Sequence, residues 1–198
     1  PKHSFAAQAR AAGRAPAEFG YDQLLEDDGR AVLYFTAFNY AGGDLETVRE
    51  MLVHPLSVLG GSDAGAHVTF ICDASVPTFM LTHWGRDRRR GDLLPLEWLV
   101  KKQTLDNAEL YGFHDRGAIT PGRRADLNLI DFDGLRLDVP YFVHDLPASA
   151  TRLMQKARGY QATFVRGEII QENGKETDAR PGRLVRSSPG GPRYSGAS

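Results

Sequence analysis

The segment 57–67, SVLGGSDAGAH, places one carboxylate, Asp63, among glycines directly after a short apolar run. Such an aspartate has two interpretations. It is a turn residue, because aspartate is favoured in turns for the hydrogen bonds that it makes to its own backbone. Alternatively, it is an acid aimed at a reacting group, where a carboxylate takes up and returns protons. His67 follows four residues later, either as a substrate contact or supporting side chain of the same site or as a cap of the next turn.

The elements before Asp63 favour the second interpretation. Residues 30–38 (RAVLYFTAF) and 56–61 (LSVLGG) are short apolar runs that predict buried strands. Between them, Asp44 is a suitable N-cap and an apolar stripe at helical spacing predicts a helix that stops at Pro55. Strand, helix and strand in this order predict a βαβ unit with parallel strands. Ligand sites in such folds lie beyond the carboxyl ends of the strands, and Asp63 follows such an end.

The pattern changes along the rest of the chain. A helix is predicted over 95–113, and short strands follow it around a Pro-Gly turn, with Leu127 and Leu129 alternating with other residues. Residues 162–171 predict a β-hairpin with an Arg-Gly dipeptide at its turn, and an Asn-Gly dipeptide just after it predicts another turn.

These elements divide the chain into three parts. Residues 1–113 are predicted to be α/β, residues 114–186 to be strands, and residues 187–198 have the composition of a flexible tail. The two strands expected in the first part are too few to close a barrel, which needs about eight.

The overall charge argues against a nucleic-acid partner. The 198 residues are 41% hydrophobic and 25% charged, as in ordinary globular proteins, and the net charge is −1. Nucleic-acid binding needs a concentrated basic surface instead. The one basic run is RDRRR at 86–90. His83 and Arg86 could meet a substrate carboxylate there, since arginine binds carboxylates through two parallel hydrogen bonds, but an exposed basic loop is the favoured interpretation.

Cysteine content and hydropathy indicate the compartment. Cys72 is the only cysteine in the sequence, which excludes an internal disulfide and a Cys-rich zinc site and favours a reducing compartment. The first residues lack the apolar core of a signal peptide, and no apolar run is long enough to span a bilayer. We therefore expect a soluble, cytoplasmic protein with no membrane partner.

Three blocks of the sequence resemble a known family. They are HPLSVLGGSDAGAH, WLVKKQTLDNAELYGFHDRGAITPGRRADLNLID and FVRGEIIQENGKETDARPGRLVR, and they occur in the same order as in the carboxyl-terminal third of the amidohydrolase superfamily. The most similar branch is the D-aminoacylase type, the N-acyl-D-amino-acid deacylases. The resemblance implies that residues 1–113 form the last βα units of a metal-dependent (β/α)8 barrel and that residues 114–186 form the carboxyl-terminal strands of a small β-sandwich.

The resemblance assigns a role to Asp63. The residue matches the family's aspartate at the end of the eighth barrel strand, which contacts the metal and shuttles protons. By that match, Asp63 accepts a proton from the metal-bound water that attacks the amide carbonyl and returns it to the leaving amine. Zinc, or another divalent metal, is the implied cofactor, and it lowers the pKa of bound water to about 7.

The sequence also departs from the family. The family's other metal ligands include a His-x-His pair, which this chain lacks, and its six histidines are scattered. We therefore expect most metal ligands outside this chain and an inactive isolated fragment.

The expected substrate is a small N-acyl amino acid. Two alternatives stay open: a superfamily hydrolase that acts on a cyclic amide or another C–N bond, and a non-catalytic assembly or binding fragment in which Asp63 is only a turn residue. Unpaired strand edges would favour a homo-oligomer or aggregation. Asp115 and Arg116 are expected to form a structural ion pair where the barrel part joins the sandwich part.

Overall fold

The computed structural model describes residues 3–34, 38–40 and 42–187. The chain divides into two units, Pro1–Ser57 and Val58–Ser198. The described part of the first unit is helical, and the second unit combines helices with antiparallel strands. This mixture of helix and strand agrees with the predicted α/β class in its coarse form. The predicted division at residue 113 stays a prediction.

Helices account for the regular structure that is described in the first unit. They are α1 (Phe5–Ala11), α2 (Pro16–Gly29) and α3 (Glu46–Val53). Helix α1 is capped by Ser4, whose hydroxyl oxygen accepts the N–H of Ala7 at 3.3 Å. Helix α2 starts with Pro16, and the N–H that proline lacks would have no partner within the helix at this first position. The two helices pack through an edge-to-face contact between Phe5 and Phe19, with ring centroids 6.0 Å apart.

The helix predicted before Pro55 is confirmed as α3. Its start is stabilised by Asp44, whose carboxylate accepts the N–H of Glu46 at 3.1 Å, although Leu45 is the capping residue by position. Leu52 is its buried apolar residue. After the helix, His54 accepts the N–H of Leu56 through Nδ1 at 3.2 Å, which closes the turn that leads out of α3.

The two parallel strands predicted around α3 are wrong in their described parts. Residues 31–34 and 56–61 have no strand structure, and residues 35–37 lie outside the described residues. Tyr34 and Leu56 are 84% and 88% exposed. A buried strand needs a neighbour for its backbone N–H and C=O groups, and every ladder formed by the described residues is antiparallel and lies beyond residue 126. The described residues therefore do not form the predicted βαβ unit.

Helices also form the first half of the second unit. They are a short 3₁₀ turn (Asp73–Ser75), α4 (Val76–Thr82), a π-helical turn (His83–Asp87), α5 (Leu96–Gln103) and α6 (Leu105–Leu110). The single helix predicted over 95–113 is thus two helices, because Thr104 takes a non-helical backbone with φ −121° and ψ −80°. Trp84, Leu99 and Leu135 are the large side chains that are fully buried, so they form the centre of the core.

Eight strands follow in the second half. They are β1 (Leu127–Ile130), β2 (Arg136–Leu137), β3 (Tyr141–Val143), β4 (Arg152–Met154), β5 (Ala157–Arg158), β6 (Tyr160–Val165), β7 (Glu168–Glu172) and β8 (Lys175–Glu176). One sheet has the order β1-β6-β7-β8, and β2 pairs with β5 and β3 with β4. The predicted hairpin is confirmed as β6 and β7. Its turn residues Arg166 and Gly167 both have positive φ, as do Asn173 and Gly174 at the next turn.

A side-chain hydrogen bond joins a helix of the second unit to a strand, and a close backbone approach lies between two segments of its strand region. Thr78 on α4 and Tyr160 on β6 share a hydrogen bond of 2.8 Å between their hydroxyl oxygens. Gly159 lies between β5 and β6 with φ +100°, where a Cβ would be 2.7 Å from the Cα of Leu135 and 2.9 Å from the carbonyl oxygen of Asp131. Only glycine fits this close approach of two backbone segments.

Candidate functional site

The loop over residues 61–71 carries both predicted site residues. Asp63, Gly65 and His67 have left-handed backbone conformations, with φ of 53°, 85° and 41°. Aspartate and histidine adopt this region more readily than most residues, but each residue with a Cβ still costs about 1–2 kcal/mol there. The loop therefore holds a strained shape that its surroundings have to maintain.

Short hydrogen-bonded turns give the loop its local shape. The N–H of Ala66 donates to the carbonyl oxygen of Asp63 at 3.0 Å, and the N–H groups of Phe70 and Ile71 donate to that of His67 at 3.0 and 3.1 Å. The side chains of Asp63 and His67 are both exposed. Asp63 is thus a turn residue through its backbone, and its carboxylate stays accessible to another molecule.

The imidazole of His67 lies against an aromatic neighbour. Its ring stacks on Phe70 with centroids 5.2 Å apart and an interplanar angle of 26°. The cap of the following turn is the carbonyl oxygen of His67 and not its side chain. The role of His67 toward a substrate stays a prediction.

Of the glycines at 60, 61 and 65, Gly65 alone has a left-handed backbone. Gly60 and Gly61 do not have left-handed backbones, and a Cβ on either would meet no atom within 4 Å. The sharp turn beside Asp63 therefore comes from residues 63–67.

A main-chain hydrogen bond ties this loop to strand β4. The N–H of Leu153 donates to the carbonyl oxygen of Val68 at 2.7 Å. Both residues are half-buried. The loop is thereby fixed at a point five residues after Asp63.

The described residues do not form a complete metal site. Within residues 3–34, 38–40 and 42–187, no three histidine, cysteine, aspartate or glutamate side chains are grouped so that they could hold a metal ion. A zinc site normally has three or four protein ligands. Asp63 can supply one carboxylate, so the donor set of this part of the chain does not fit the implied zinc ion.

Two arginines of the basic run are structural, which corrects the expectation of an exposed loop at Arg86 and Arg88, whereas Asp87, Arg89 and Arg90 are exposed. Arg86 donates to the carbonyl oxygens of Phe132, of Asp133 at 3.1 Å and of Leu135 at 2.7 Å. Arg88 is buried with its guanidinium over the ring of Trp84, 4.7 Å from the centroid. These two arginines stabilise the packing of the helices on the strands, and their guanidinium groups do not belong to an exposed loop.

His83 belongs to the same packed region. Its ring stacks on Phe79 with centroids 4.7 Å apart and meets Trp84 edge-on at 4.9 Å. Burial lowers the pKa of His83, and the nearby Asp87 only partly offsets this effect. A neutral imidazole in an aromatic stack is poorly suited to bind a substrate carboxylate.

The predicted ion pair of Asp115 and Arg116 is present. Arg116 donates to both carboxylate oxygens of Asp115, at 2.8 and 3.0 Å, and its Nη1 also reaches Asp126 at 3.1 Å. The hydrogen bond from Arg116 lowers the pKa of Asp115. Arg124 joins the same network through its 2.8 Å bond to Asp126. The network fixes the connection between α6 and β1.

Two concave surfaces on the second unit are formed by the strands. One of about 540 Å³ lies where β5 and β6 meet the end of β7, and another of about 420 Å³ lies beside residues 179–182. Asp63 and His67 line neither of them. The exposed carboxylate of Asp63 is therefore part of neither surface. Among the described residues, no helix has both the length and the hydropathy to cross a membrane.

A comparison with protein-family models places this loop within a known family. The model described as the amidohydrolase family matches residues 3–171, which is most of the chain. The chain belongs to the amidohydrolase family. This amidohydrolase match includes Asp63 and His67 and ends within β7. It confirms the superfamily that the sequence resembles and supports a hydrolase. No curated protein and no solved structure matches this amidohydrolase chain.

Sequence reasoning missed two contacts of this amidohydrolase. The bond between Leu153 and Val68 joins main-chain atoms of distant segments, and main-chain bonds leave no trace in residue type. The clamp formed by Arg86 on residues 132–135 is also distant in sequence. The only sequence feature that points to this contact is an arginine next to an apolar helix. The same feature is typical of a solvated loop.

Proposed function

We propose that this chain is the carboxyl-terminal part of an enzyme that hydrolyses the amide bond of N-acyl-D-amino acids, with Asp63 as the carboxylate that transfers protons. The observation that carries the proposal is the amidohydrolase match over residues 3–171, which includes Asp63. The resemblance of three separate blocks to the D-aminoacylase branch supports the narrower substrate class.

The geometry of Asp63 suits a proton-transfer role. Its carboxylate is exposed, and the described residues make no hydrogen bond or ion pair to it. Amide hydrolysis needs a base for the attacking water and an acid for the leaving amine, and one carboxylate can serve as both in turn. A carboxylate already held by an arginine, as in Asp115, would be a weaker base.

Members of the amidohydrolase superfamily are generally metal-dependent, and we propose that zinc or another divalent metal is the cofactor. Asp63 is the proposed contact from this chain. Because the described residues hold no group of three potential ligands, the remaining ligands have to come from outside them.

Exposed apolar side chains support a larger functional assembly. Phe38 and Leu56 are more than four-fifths exposed, and Phe70, beside His67, is 69% exposed. Soluble proteins keep large apolar surfaces covered unless they bind another surface. Further polypeptide, or a second copy of the chain, would cover these side chains and bring the missing ligands near Asp63.

The test is to capture the protein from its natural source with an antibody against this chain and to assay amide hydrolysis. We expect release of free amino acid from N-acetyl-D-amino acids and not from their L-enantiomers, with loss of activity after chelation. Hydrolysis of a cyclic amide such as a hydantoin in place of these substrates would contradict the deacylase assignment. Absence of any hydrolysis would favour the non-catalytic alternative.

The residue assignment is tested by Asp63→Asn in the active protein. Asparagine keeps the left-handed backbone accessible but cannot transfer the proton, so we expect about a 10²- to 10⁴-fold loss of kcat. Asp73→Asn, at another exposed aspartate of the second unit, is the matched control and should leave kcat unchanged. Equal activity of the two variants would show that Asp63 does not act as proposed.

A further inference from the structure

The loop that carries Asp63 needs an external support. Asp63 and His67 both have side chains and left-handed backbones, and the loop contains no helix or strand. Its own hydrogen bonds are the turns closed on the carbonyl oxygens of these two residues. Such a conformation persists where the surrounding structure determines it.

Strand β4 offers that support at one atom pair. The N–H of Leu153 donates to the carbonyl oxygen of Val68 at 2.7 Å. Val68 directly follows His67, and the carbonyl oxygen of His67 accepts the N–H groups of Phe70 and Ile71. A fixed Val68 therefore also fixes the turn after it and the left-handed residue before it.

The bond to Val68 takes the N–H of Leu153 out of the ladder between β3 and β4. Leu153 is opposite Phe142, and Arg152 and Met154 are opposite Val143 and Tyr141. In an antiparallel pair, opposite residues alternate between those bonded to the partner strand and those whose N–H and C=O face away. Because the N–H of Leu153 faces Val68, the bonds between β3 and β4 belong to the pairs on either side of it.

We propose that the β3–β4 hairpin positions the Asp63 loop, with the N–H of Leu153 as the positioning group. This inference rests on the proposed function of Asp63 only for its effect on catalysis. Its structural part concerns the shape of the loop. Leu153 is a positioning residue because it acts on Asp63 through Val68 and the turn at His67.

The structural part is tested by hydrogen exchange on the full chain. In one variant an α-hydroxy acid with the leucine side chain replaces Leu153, so that an ester oxygen takes the place of the N–H. We expect the amide hydrogens of Ala66, Phe70 and Ile71 to exchange at least about 10-fold faster. Those of Val143 and Arg152, which belong to the β3–β4 ladder, should exchange as before.

Leu153→Val is the matched control, because it keeps the N–H and changes only the side chain. It should leave exchange in the loop at the original rate. Leu153→Pro is a second variant without the N–H, for which extended backbone at residue 153 is permissive. Unchanged exchange at Phe70 and Ile71 in the ester and proline variants would overturn the proposal.

The catalytic part is tested in the active protein from its natural context. We expect the ester variant to lose about 10- to 100-fold in kcat, since a displacement of about 1 Å can cost 10²-fold, with KM little changed. Leu153→Val should retain kcat. If Asp63→Asn is inactive and the ester variant is fully active, the positioning role is wrong and the proposed function stands. If Asp63→Asn is fully active, the proposed function fails, and hydrogen exchange alone still decides whether β4 holds the loop.

Discussion

The β-hairpin of residues 160–172 and the loop over residues 61–71 each contain a predicted turn that follows an apolar run. They differ in the hydrogen bonds that stabilise them. Strand β6 pairs with β7, which follows it directly in sequence, from Ala162 opposite Glu172 to Val165 opposite Glu168. The apolar run before Asp63 forms no ladder, and the loop after it depends on one bond to Leu153. The residues of a hairpin and its turn are therefore enough to predict the hairpin from sequence. A strand whose partner strands are remote in sequence can be predicted only when those partners are known.

A glycine substitution in the strand region has the largest expected effect on the free energy of unfolding. Gly159→Ala would place a Cβ 2.7 Å from the Cα of Leu135 at φ +100°. Backbone strain and overpacking together should lower the free energy of unfolding by about 2–5 kcal/mol. Urea unfolding of the purified chain measures this change.

Gly60→Ala is the matched substitution before the Asp63 loop. It meets no atom within 4 Å and has no left-handed backbone, so it should raise stability by up to about 1 kcal/mol through a less flexible unfolded chain. A loss of similar size in both variants would mean that residue 60 is as tightly packed as residue 159.

The basic run gives an intermediate effect. Arg86→Met removes the donors to the carbonyl oxygens of Phe132, Asp133 and Leu135. We expect a loss of about 1–3 kcal/mol, since partly buried carbonyl groups lose their partners. Arg89→Met, at an exposed position three residues later, should change stability by less than about 0.5 kcal/mol. Thermal unfolding of the two variants would show whether the run is a clamp, as we describe, or a solvated loop in which both substitutions are equally mild.

The smallest effect distinguishes the two turns of the β sheet. Arg166→Asn converts the turn between β6 and β7 to the Asn-Gly sequence that suits two positive φ angles. The N–H of residue 166 still donates to Asp126, because that bond is made by the main chain. We expect a gain of about 0.5 kcal/mol and, for Asn173→Arg at the second turn, a loss of about the same size. The midpoints of denaturant unfolding measure both changes. A lower midpoint for Arg166→Asn together with a higher one for Asn173→Arg would contradict the assignment of these turns.

The parts of the fold that sequence predicted are those with short-range causes. Helix α3, the hairpin with its Arg-Gly turn, the Asn-Gly turn after it, and the pair Asp115 and Arg116 all depend on residues close together in the chain. The predicted strands at 30–38 and 56–61 are wrong in their described parts. Apolar composition indicates that a segment is suited to burial, but it does not indicate which neighbouring strand would bury it.

For the candidate site, the sequence predicted the local turn, while the roles of Asp63 and His67 stay predictions. The sequence located Asp63 and His67 in a tight loop, and the family match includes both residues. Sequence alone does not separate Gly65 from Gly60 and Gly61, because glycine is permitted at many φ values that other residues also adopt. It could not foresee the contact of Val68 with Leu153, because a main-chain bond between distant segments is independent of which side chains they carry.

The bond between Thr78 and Tyr160 has a consequence for the order in which the molecule folds. Thr78 is almost fully buried, and its hydroxyl partner lies 82 positions later in the chain. At a synthesis rate of about 5–20 residues per second, helix α4 waits on the order of 4–16 s for that partner to be made. During this interval the buried hydroxyl of Thr78 has no partner on β6, and the face of α4 with Met80 and Leu81 has at most the earlier strand β2 to pack against. A nascent chain stalled before residue 160 should therefore bind chaperones that a chain stalled after the hairpin would not.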